Sequence, residues 1–203
     1  MKILIVDNNK HLSGYPQGMM IRFHLPLKYA LSSVIRSADE LSKKDLNVDR
    51  VILTSSTAYV REQRPWMKKE IQFIRLWMEK KIPILSICFG AQLLSSTLFG
   101  KESVRALPVP ISGSLLMNYQ ETCPLFQGLP NPFGVVSTHY EAFVVPKKFR
   151  VASIEDWESY AFVYKKNVFG IQFHPELMGF LGRTFVKIQR SLFDRHIYQD
   201  LLN

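Results

Sequence analysis

A cysteine lies among small residues directly after an apolar run. Residues 85–92 read LSICFGAQ, and Cys88 follows the apolar residues 82–85. Where a buried strand turns sharply into a helix, the turn residue is presented above the sheet, and a small neighbour such as Gly90 lets the two elements approach. The N-terminus of the helix favours a thiolate, so Cys88 is a candidate nucleophile. The backbone N–H of Phe89 is then a candidate donor to an oxyanion.

A thiolate nucleophile needs a proton shuttle, which histidine commonly supplies. The five histidines of the chain are His11, His24, His139, His174 and His196. His174 ends the apolar run 168–173, and Glu176 follows two residues later. A carboxylate at that spacing can fix the tautomer of the imidazole and stabilise its charged form. The sequence therefore predicts a nucleophile, a base and an orienting carboxylate in the order Cys88, His174, Glu176.

Each of these segments also has a purely structural interpretation. A lone cysteine after a strand is most often a buried core thiol, and a lone segment such as 174–176 commonly begins a helix. Here both segments occur at predicted strand ends, and Gln92 stands four residues after Cys88. This combination favours catalysis over the structural interpretation.

The elements that must position these residues alternate between strand and helix in the first half. Short apolar runs separated by helical patterns predict a single α/β domain over residues 1–203, with an open, mostly parallel sheet flanked by helices. Strands are predicted at 3–7, 51–53, 82–87, 134–137, 150–154, 160–164 and 168–173. Helices are predicted at 27–44, 65–81, 90–98 and 180–196, and residues 105–135 are predicted to form proline-rich loops. In such sheets ligands bind beyond the carboxyl ends of the strands, where the loops after Leu53 and Phe173 can meet the turn at Cys88.

Two segments resemble the motifs of one family of enzymes. Residues 86–92, SICFGAQ, resemble the Gly-x-Cys-x-Gly-x-Gln nucleophile motif of class I glutamine amidotransferases. Residues 170–176, GIQFHPE, are similar to the second motif of that family almost residue for residue. Residues 138–141, THYE, more loosely resemble its Ser-His-Gly-Asp segment. The resemblance runs from residue 51 to residue 176 and points to stand-alone domains similar to the glutaminase part of GMP synthase, with a flavodoxin-like architecture.

The resemblance implies a mechanism and a substrate. The thiolate of Cys88 is expected to attack the side-chain amide of glutamine, and His174 to protonate the leaving ammonia and then activate water against a γ-glutamyl thioester. No metal or organic cofactor is expected. A synthetic step would require a separate ammonia-accepting synthase subunit as a partner. The residues implied in holding the amino-acid end of the substrate are Gln92, Ser137, Thr138 and His139.

The sequence departs from the family pattern at three places. Residues 53–58 read LTSSTA, so Ser55 and Ser56 stand where the family usually has glycines that supply a second oxyanion donor. If either position required positive φ, serine would be strained by roughly 1 kcal/mol or more. Ser86 replaces a glycine at the turn and could shift it. Residues 140–141 replace Gly-Asp, which leaves substrate recognition open.

These departures are compatible with three functions. The protein can be a glutaminase, a peptidase or hydrolase acting on another γ-glutamyl compound, or a catalytically silent binding or regulatory module on the same fold. Reactivity of Cys88 toward a glutamine-like electrophile separates the catalytic functions from the silent module.

Composition narrows the remaining classes of function. The chain of 203 residues has 26 basic and 17 acidic residues and a net charge of +9, but its basic residues form scattered pairs, so no nucleic-acid partner is expected. No apolar stretch approaches the roughly 18 residues of a membrane span, so no membrane association is expected. The N-terminal pattern does not fit a signal peptide. Cys88 and Cys123 are expected to be free thiols, and the predicted location is cytoplasmic.

Overall fold

Short strands rich in isoleucine, valine and leucine build one nine-stranded sheet. The computed structural model describes residues 1–9, 17–154 and 158–177. In chain order the strands are β1 Ile3–Val6, β2 Ser33–Arg36, β3 Arg50–Leu53, β4 Ile84–Ile87, β5 Val104–Tyr119, β6 Phe133–Phe143, β7 Arg150–Ser153, β8 Ala161–Tyr164 and β9 Val168–Ile171. Their order across the sheet is β2-β1-β3-β4-β9-β8-β7-β5-β6.

The first half of the sheet, β2-β1-β3-β4-β9, is parallel. All four residues of β1 are buried, as expected for a strand covered on both faces. Leu4 and Val6 join one core, whereas Ile3 and Ile5 join the core on the opposite face. The alternation arises because successive side chains of a strand point to opposite faces. The predicted α/β fold is confirmed.

The second half of the sheet is antiparallel, and here one prediction is wrong. Residues 105–135 are not all loops, because β5 forms a long strand paired with β6. Pro108 and Pro110 fall where the register of this pair shifts between Ala106 and Ile111. A bulge tolerates proline since the ladder there does not need its N–H. The sheet is therefore mixed, and the strand predicted at 134–137 is the middle of a longer one.

The helix predicted over residues 27–44 is also wrong. The chain forms a short helix α2, Leu27–Leu31, then β2, then two turns of 3-10 helix at Ala38–Glu40 and Lys43–Leu46. The β-branched residues Val34 and Ile35 pair with β1 at the edge of the sheet. Their spacing from neighbouring apolar residues imitated a helix, but tertiary strand pairing decides the structure.

The helices predicted over 65–81 and 90–98 are confirmed, whereas the helix at 17–24 lies in a segment interpreted as turns and loop and was not predicted. Helix α3, Pro65–Glu79, begins with proline at a first-turn position, and helix α4, Phe89–Phe99, follows β4 directly. Helix α1 spans Gln17–His24. The helix predicted at 180–196 lies outside the described residues. None of the helices in the described part is long and apolar enough to cross a membrane.

Candidate active site

Cys88 occupies a strained turn between β4 and α4. Its φ of 49° and ψ of −110° lie in a region that residues other than glycine seldom adopt, at a cost of about 1–3 kcal/mol. The turn is held from both sides: the Cys88 N–H donates to the carbonyl of Ile171 at 2.8 Å, and the Cys88 carbonyl accepts from the N–H of Gln92 at 2.9 Å. The sheet and the helix thus stabilise a conformation that presents the thiol beyond the strand ends.

The neighbours of Cys88 explain the small residues around it. A Cβ atom at Gly90 would lie 2.8 Å from the carbonyl oxygen of Leu53 and 2.9 Å from that of Thr54, so only glycine fits there. Ser86 is fully buried and its hydroxyl donates to the carbonyl of Phe169 at 2.8 Å. The serine is therefore accommodated within the sheet, and the sharp turn at Cys88 is present despite it.

His174 and Glu176 meet at the end of the neighbouring strand β9. His174 Nδ1 lies 2.8 Å from Glu176 Oε1, and the two side chains are 3% and 1% exposed. The N–H of His174 donates to the carbonyl of Val136 at 2.8 Å, which ties this segment to β6. Glu176 sits on a 3-10 turn, Pro175–Leu177. A buried imidazole and carboxylate are thus placed beside the turn that carries Cys88.

The thiol lies in a ring of polar atoms. Cys88 Sγ is 3.7 Å from the carbonyl oxygen of Thr138, and Gln172 Nε2 is 3.6 Å from the same sulfur. His174 Nε2 lies 3.4 Å from the Thr138 carbonyl oxygen. Gln172 was not among the residues predicted for the site, although it lies inside the second motif. The structure therefore brings Cys88, His174, Glu176 and Thr138 together.

The electrostatics of the pair favour a charged imidazole. Burial of the ring lowers the pKa of His174, but the charges of Cys88 and Glu176 and the hydrogen bonds with both groups raise it more. The resulting pKa lies well above the ordinary value for histidine. The charged form of the imidazole therefore faces Cys88.

The serine loop after β3 lies against the start of α4. Neither Ser55 nor Ser56 has positive φ, so the strain considered for serine at these positions is absent. The Ser55 hydroxyl accepts a hydrogen bond from the side-chain amide of Gln17, and the Ser56 hydroxyl donates to the carbonyl of Asn8 at 3.0 Å. Phe89 is the first residue of α4, so its N–H has no acceptor within the helix.

The residues predicted to hold the substrate lie in two different environments. The Gln92 side chain is buried and donates to the carbonyl of Glu141, which joins α4 to β6. Thr138 presents its carbonyl to the thiol. Ser137 and His139 are buried and contact one another, with Ser137 Oγ 3.0 Å from His139 Nδ1. Substrate contacts of these four residues remain a prediction.

Glu158 completes this buried group and was not predicted, because it lies in no recognisable motif. His139 Nε2 lies 3.0 Å from Glu158 Oε1, and the two side chains are 1% and 3% exposed. Burial lowers the pKa of His139, and the nearby Glu158 offsets only part of that effect. In the described part of the chain, no group of three or more His, Cys, Asp or Glu is placed to hold a metal ion.

The chain is also similar in sequence to known proteins. Residues 23–186 match the model of a family described as Glutamine amidotransferase class-I. The GMP synthase [glutamine-hydrolyzing] of Petrotoga mobilis is 30% identical over 184 residues, which is 87% of this chain and 32% of that protein. The GMP synthase of Thermosipho melanesiensis is 31% identical over 144 residues, 69% of this chain and 26% of that protein. The chain thus spans about a third or less of the length of these curated relatives.

Solved structures share the fold. A glutamine amidotransferase from Thermotoga maritima superposes with a TM-score of 0.73 at 22% identity, covering 97% of this chain and 85% of that one. The CTPS glutaminase domain of Trypanosoma brucei with bound acivicin gives a TM-score of 0.67 at 12% identity, covering 89% and 88%. At these identities the likeness concerns the architecture.

Proposed function

The chain belongs to the glutamine amidotransferase class-I family, and on that premise we propose that it hydrolyses the side-chain amide of glutamine through Cys88, His174 and Glu176. The observation that carries the proposal is the strained turn at Cys88, which holds the thiol beside a buried imidazole whose far nitrogen is 2.8 Å from a carboxylate oxygen. Strain at one residue and two buried ionisable groups are costly, and they recur together at sites of nucleophilic catalysis.

The chemistry proceeds in two halves. The thiolate adds to the amide carbon, the tetrahedral intermediate collapses, and the His174 imidazolium gives its proton to the departing nitrogen, which leaves as ammonia. The neutral imidazole then takes a proton from water, whose oxygen adds to the γ-glutamyl thioester. Collapse of the second intermediate releases glutamate and restores the thiolate and the imidazolium. Glu176 orients the ring and stabilises its charge throughout.

The oxyanion of both intermediates needs two donors. One is the backbone N–H of Phe89, at the positive end of α4. The second is a backbone N–H of Ser55 or Ser56, in the loop that follows β3. This assignment is supported by the contact of Leu53 and Thr54 with the first turn of α4, which is so close that residue 90 must be glycine.

The environment of Glu141 favours a second candidate, hydrolysis of another γ-glutamyl compound. Its carboxylate accepts from the N–H of Val60 at 2.8 Å and lies 3.7 Å from Arg61 Nε. That carboxylate is therefore engaged on the 3-10 turn Val60–Glu62 and is withdrawn from a substrate amino group. A substrate with a different amino-acid end would fit this departure from the family motif.

For amide transfer the ammonia must reach an acceptor. The GMP synthase relatives extend well beyond the region matched by this chain, so we propose a separate synthase subunit as the ammonia-accepting partner. Cys88 and Cys123 are both buried free thiols, and we infer a reducing, cytoplasmic location.

Ammonia release from glutamine tests the proposal. Wild type, Cys88→Ala and the matched control Cys123→Ala should be assayed together, since the two cysteines are both buried and free. We expect release by wild type and Cys123→Ala, and a loss of at least about a thousandfold in Cys88→Ala. Release of glutamate and the free amino acid from a γ-glutamyl peptide, with no ammonia from glutamine, would favour the second candidate. Retained activity in Cys88→Ala would refute both.

A further inference from the structure

A second buried group of serine, histidine and glutamate lies next to the candidate active site. Ser137 Oγ is 3.0 Å from His139 Nδ1, and His139 Nε2 is 3.0 Å from Glu158 Oε1. Ser137 is 0% exposed, and its hydroxyl contacts His139. The group therefore needs an explanation other than a second nucleophile.

The protonation of this group follows from burial and hydrogen-bonding capacity. Burial lowers the pKa of His139, which favours a neutral ring with one N–H. With one N–H on the ring, Nε2–H donates to a carboxylate oxygen of Glu158 and Nδ1 accepts from the Ser137 hydroxyl. This arrangement satisfies all three side chains and leaves a single orientation for the ring.

The position of Glu158 is itself fixed by the backbone that follows it. The N–H of Ser159 donates to the carbonyl of Phe143 at 3.3 Å, and the N–H of Tyr160 donates to the carbonyl of Ala152 at 2.8 Å. Glu158 is thereby anchored to the end of β6 and to β7. A hydrogen bond from His139 to Glu158 consequently ties β6 to the body of the sheet.

Strand β6 needs such a tie because it is the last strand of the sheet. Thr138 lies between Ser137 and His139, and on the paired side it faces Ser112 of β5. Its carbonyl lies 3.7 Å from Cys88 Sγ and 3.4 Å from His174 Nε2. A movement of β6 by about 1 Å would remove both contacts, since hydrogen bonds weaken steeply beyond their normal length.

We propose that His139, clamped between Ser137 and Glu158, is a positioning residue that holds the Thr138 carbonyl against the Cys88 thiol and the His174 ring. The carbonyl accepts from His174 Nε2–H and so holds the imidazolium beside Cys88, where its charge favours the thiolate. The carbonyl's own contact with sulfur is a bond accepted from the neutral thiol. The effect on turnover rests on the proposed function, whereas the effect on thiol reactivity does not.

The charged and aromatic groups around His139 fit this role. Glu158 faces Nε2, the Tyr160 ring lies edge-on with its centre 5.9 Å away, and the charge of His174 opposes a charge on His139. A neutral His139 therefore leaves His174 as the cation beside Cys88. A second imidazolium at His139 would repel the charge on His174, and burial of His139 disfavours that charged form.

Alkylation of Cys88 by iodoacetamide as a function of pH tests the proposal without a substrate. In a Cys123→Ala background Cys88 is the only cysteine. For His139→Leu we expect alkylation near pH 7 to slow about tenfold and the rising limb of the pH–rate profile to move up by about one pH unit. Glu158→Gln keeps an acceptor for Nε2–H and is expected to stay within about threefold of the parent.

A control variant is needed to show that a general loss of stability does not itself slow alkylation of Cys88. Ile74→Ala, in the core on the other face of the sheet, lowers stability without touching this group and should leave the alkylation profile unchanged. If His139→Leu does not fold, Ser137→Ala serves as the test variant. Its alkylation is expected to slow about fivefold because one hydrogen bond to His139 is lost. An unchanged profile in the folded variant would overturn the proposal.

Turnover separates this inference from the proposed function. If wild type hydrolyses glutamine, His139→Leu should lower kcat and leave KM nearly unchanged. A raised KM with unchanged kcat and unchanged alkylation would overturn the proposal and favour the predicted substrate-binding role. If wild type hydrolyses no glutamine but the alkylation profile shifts, the positioning role stands and the proposed function fails.

Discussion

Two buried polar clusters lie beyond the carboxyl ends of the parallel strands. The first cluster contains Cys88, His174 and Glu176, and the second, distinct from the group around His139, contains Asn8, Gln17 and Glu70. Burial has opposite consequences for the charge of the central group in each. In the first cluster His174 has a pKa well above its ordinary value, because Cys88 and Glu176 outweigh the cost of burial. In the second cluster burial raises the pKa of Glu70 to about 8, and the hydrogen bond from Asn8 offsets only part of the shift. The first group is therefore held charged and the second is held neutral near pH 7.

The difference lies in the partners. His174 has two ionisable partners, Cys88 and Glu176. Glu70 Oε1 instead accepts one hydrogen bond from a neutral amide, Asn8 Nδ2, at 3.0 Å. Among the described residues Glu70 Oε2, Asn8 Oδ1 and Gln17 Oε1 have no hydrogen-bond partner. A buried charge persists only where another charge compensates its desolvation. The comparison therefore assigns the proton transfers to the first cluster, whereas the second stabilises the fold around the serine loop.

Replacing His174 should have the largest effect on the first cluster. His174→Ala removes the proton donor to ammonia and the cation beside the thiolate, so turnover of glutamine is expected to fall by about a thousandfold or more. Initial rates of ammonia release measure this. A loss smaller than about tenfold would mean that another group moves the proton.

Replacing Glu70 should change stability rather than turnover. Glu70 holds its proton in the folded protein up to a pKa of about 8, against an ordinary value of 4.5. Between those values the unfolded chain has lost a proton that the folded protein retains, so the free energy of unfolding of wild type falls as pH rises. Glu70→Gln has no such proton, and its stability relative to wild type should increase between pH 5 and pH 8 by on the order of a few kcal/mol.

Urea unfolding of wild type and Glu70→Gln at pH 5, 6.5 and 8 measures that trend. Glutamine turnover at pH 7 should be unchanged in the variant, because Glu70 belongs to the second cluster. A difference in stability that is constant across this pH range would show that Glu70 ionises normally in the folded protein.

Glu176→Gln should show how strongly the carboxylate of Glu176 stabilises the imidazolium of His174. The variant keeps an acceptor for Nδ1–H but loses the charge, so the pKa of His174 should fall. The protonated ring would then be lost at a lower pH, and turnover should fall by about ten- to a hundredfold. NMR titration of the His174 ring checks the direction, and an unchanged pKa would contradict it.

Asn8→Ala should have the smallest effect of the four. It removes the donor to Glu70 and a 3.3 Å bond to the Thr54 carbonyl, which should cost about 1–2 kcal/mol of stability. Glutamine turnover should stay within about twofold of wild type once the protein is folded. A turnover defect comparable to that of Glu176→Gln would erase the distinction between the two clusters.

How far the sequence could predict this site depends on the range of each interaction. The turn at Cys88 and the His174–Glu176 pair are each encoded within seven consecutive residues, so local spacing sufficed to propose them. Glu158 meets His139 only because the segment that precedes β8 is hydrogen-bonded to the end of β6 and to β7. In the antiparallel half of the sheet the strands at 150–154 and 160–164 were predicted, but β5 was missed, because its prolines read as loop signals without knowledge of its bulge.

The same reasoning accounts for the error at residues 27–44. An apolar pattern of helical spacing is also compatible with a short edge strand, and the pairing of β2 with β1 decides between them. The long-range contacts of the serine loop were likewise invisible. Gln17, which donates to Ser55, lies 38 positions away in the chain.

Mass spectrometry of the acid-quenched reaction can show directly whether Cys88 carries a γ-glutamyl group during turnover. Wild type mixed with glutamine, or with a γ-glutamyl peptide, should be digested and searched for a γ-glutamyl group on each cysteine. The account predicts this group on the peptide containing Cys88, its loss on treatment with hydroxylamine, and its absence from Cys88→Ala and from the Cys123 peptide. Turnover without a γ-glutamyl group on Cys88, or turnover that is preserved in Cys88→Ala, would contradict covalent catalysis by Cys88.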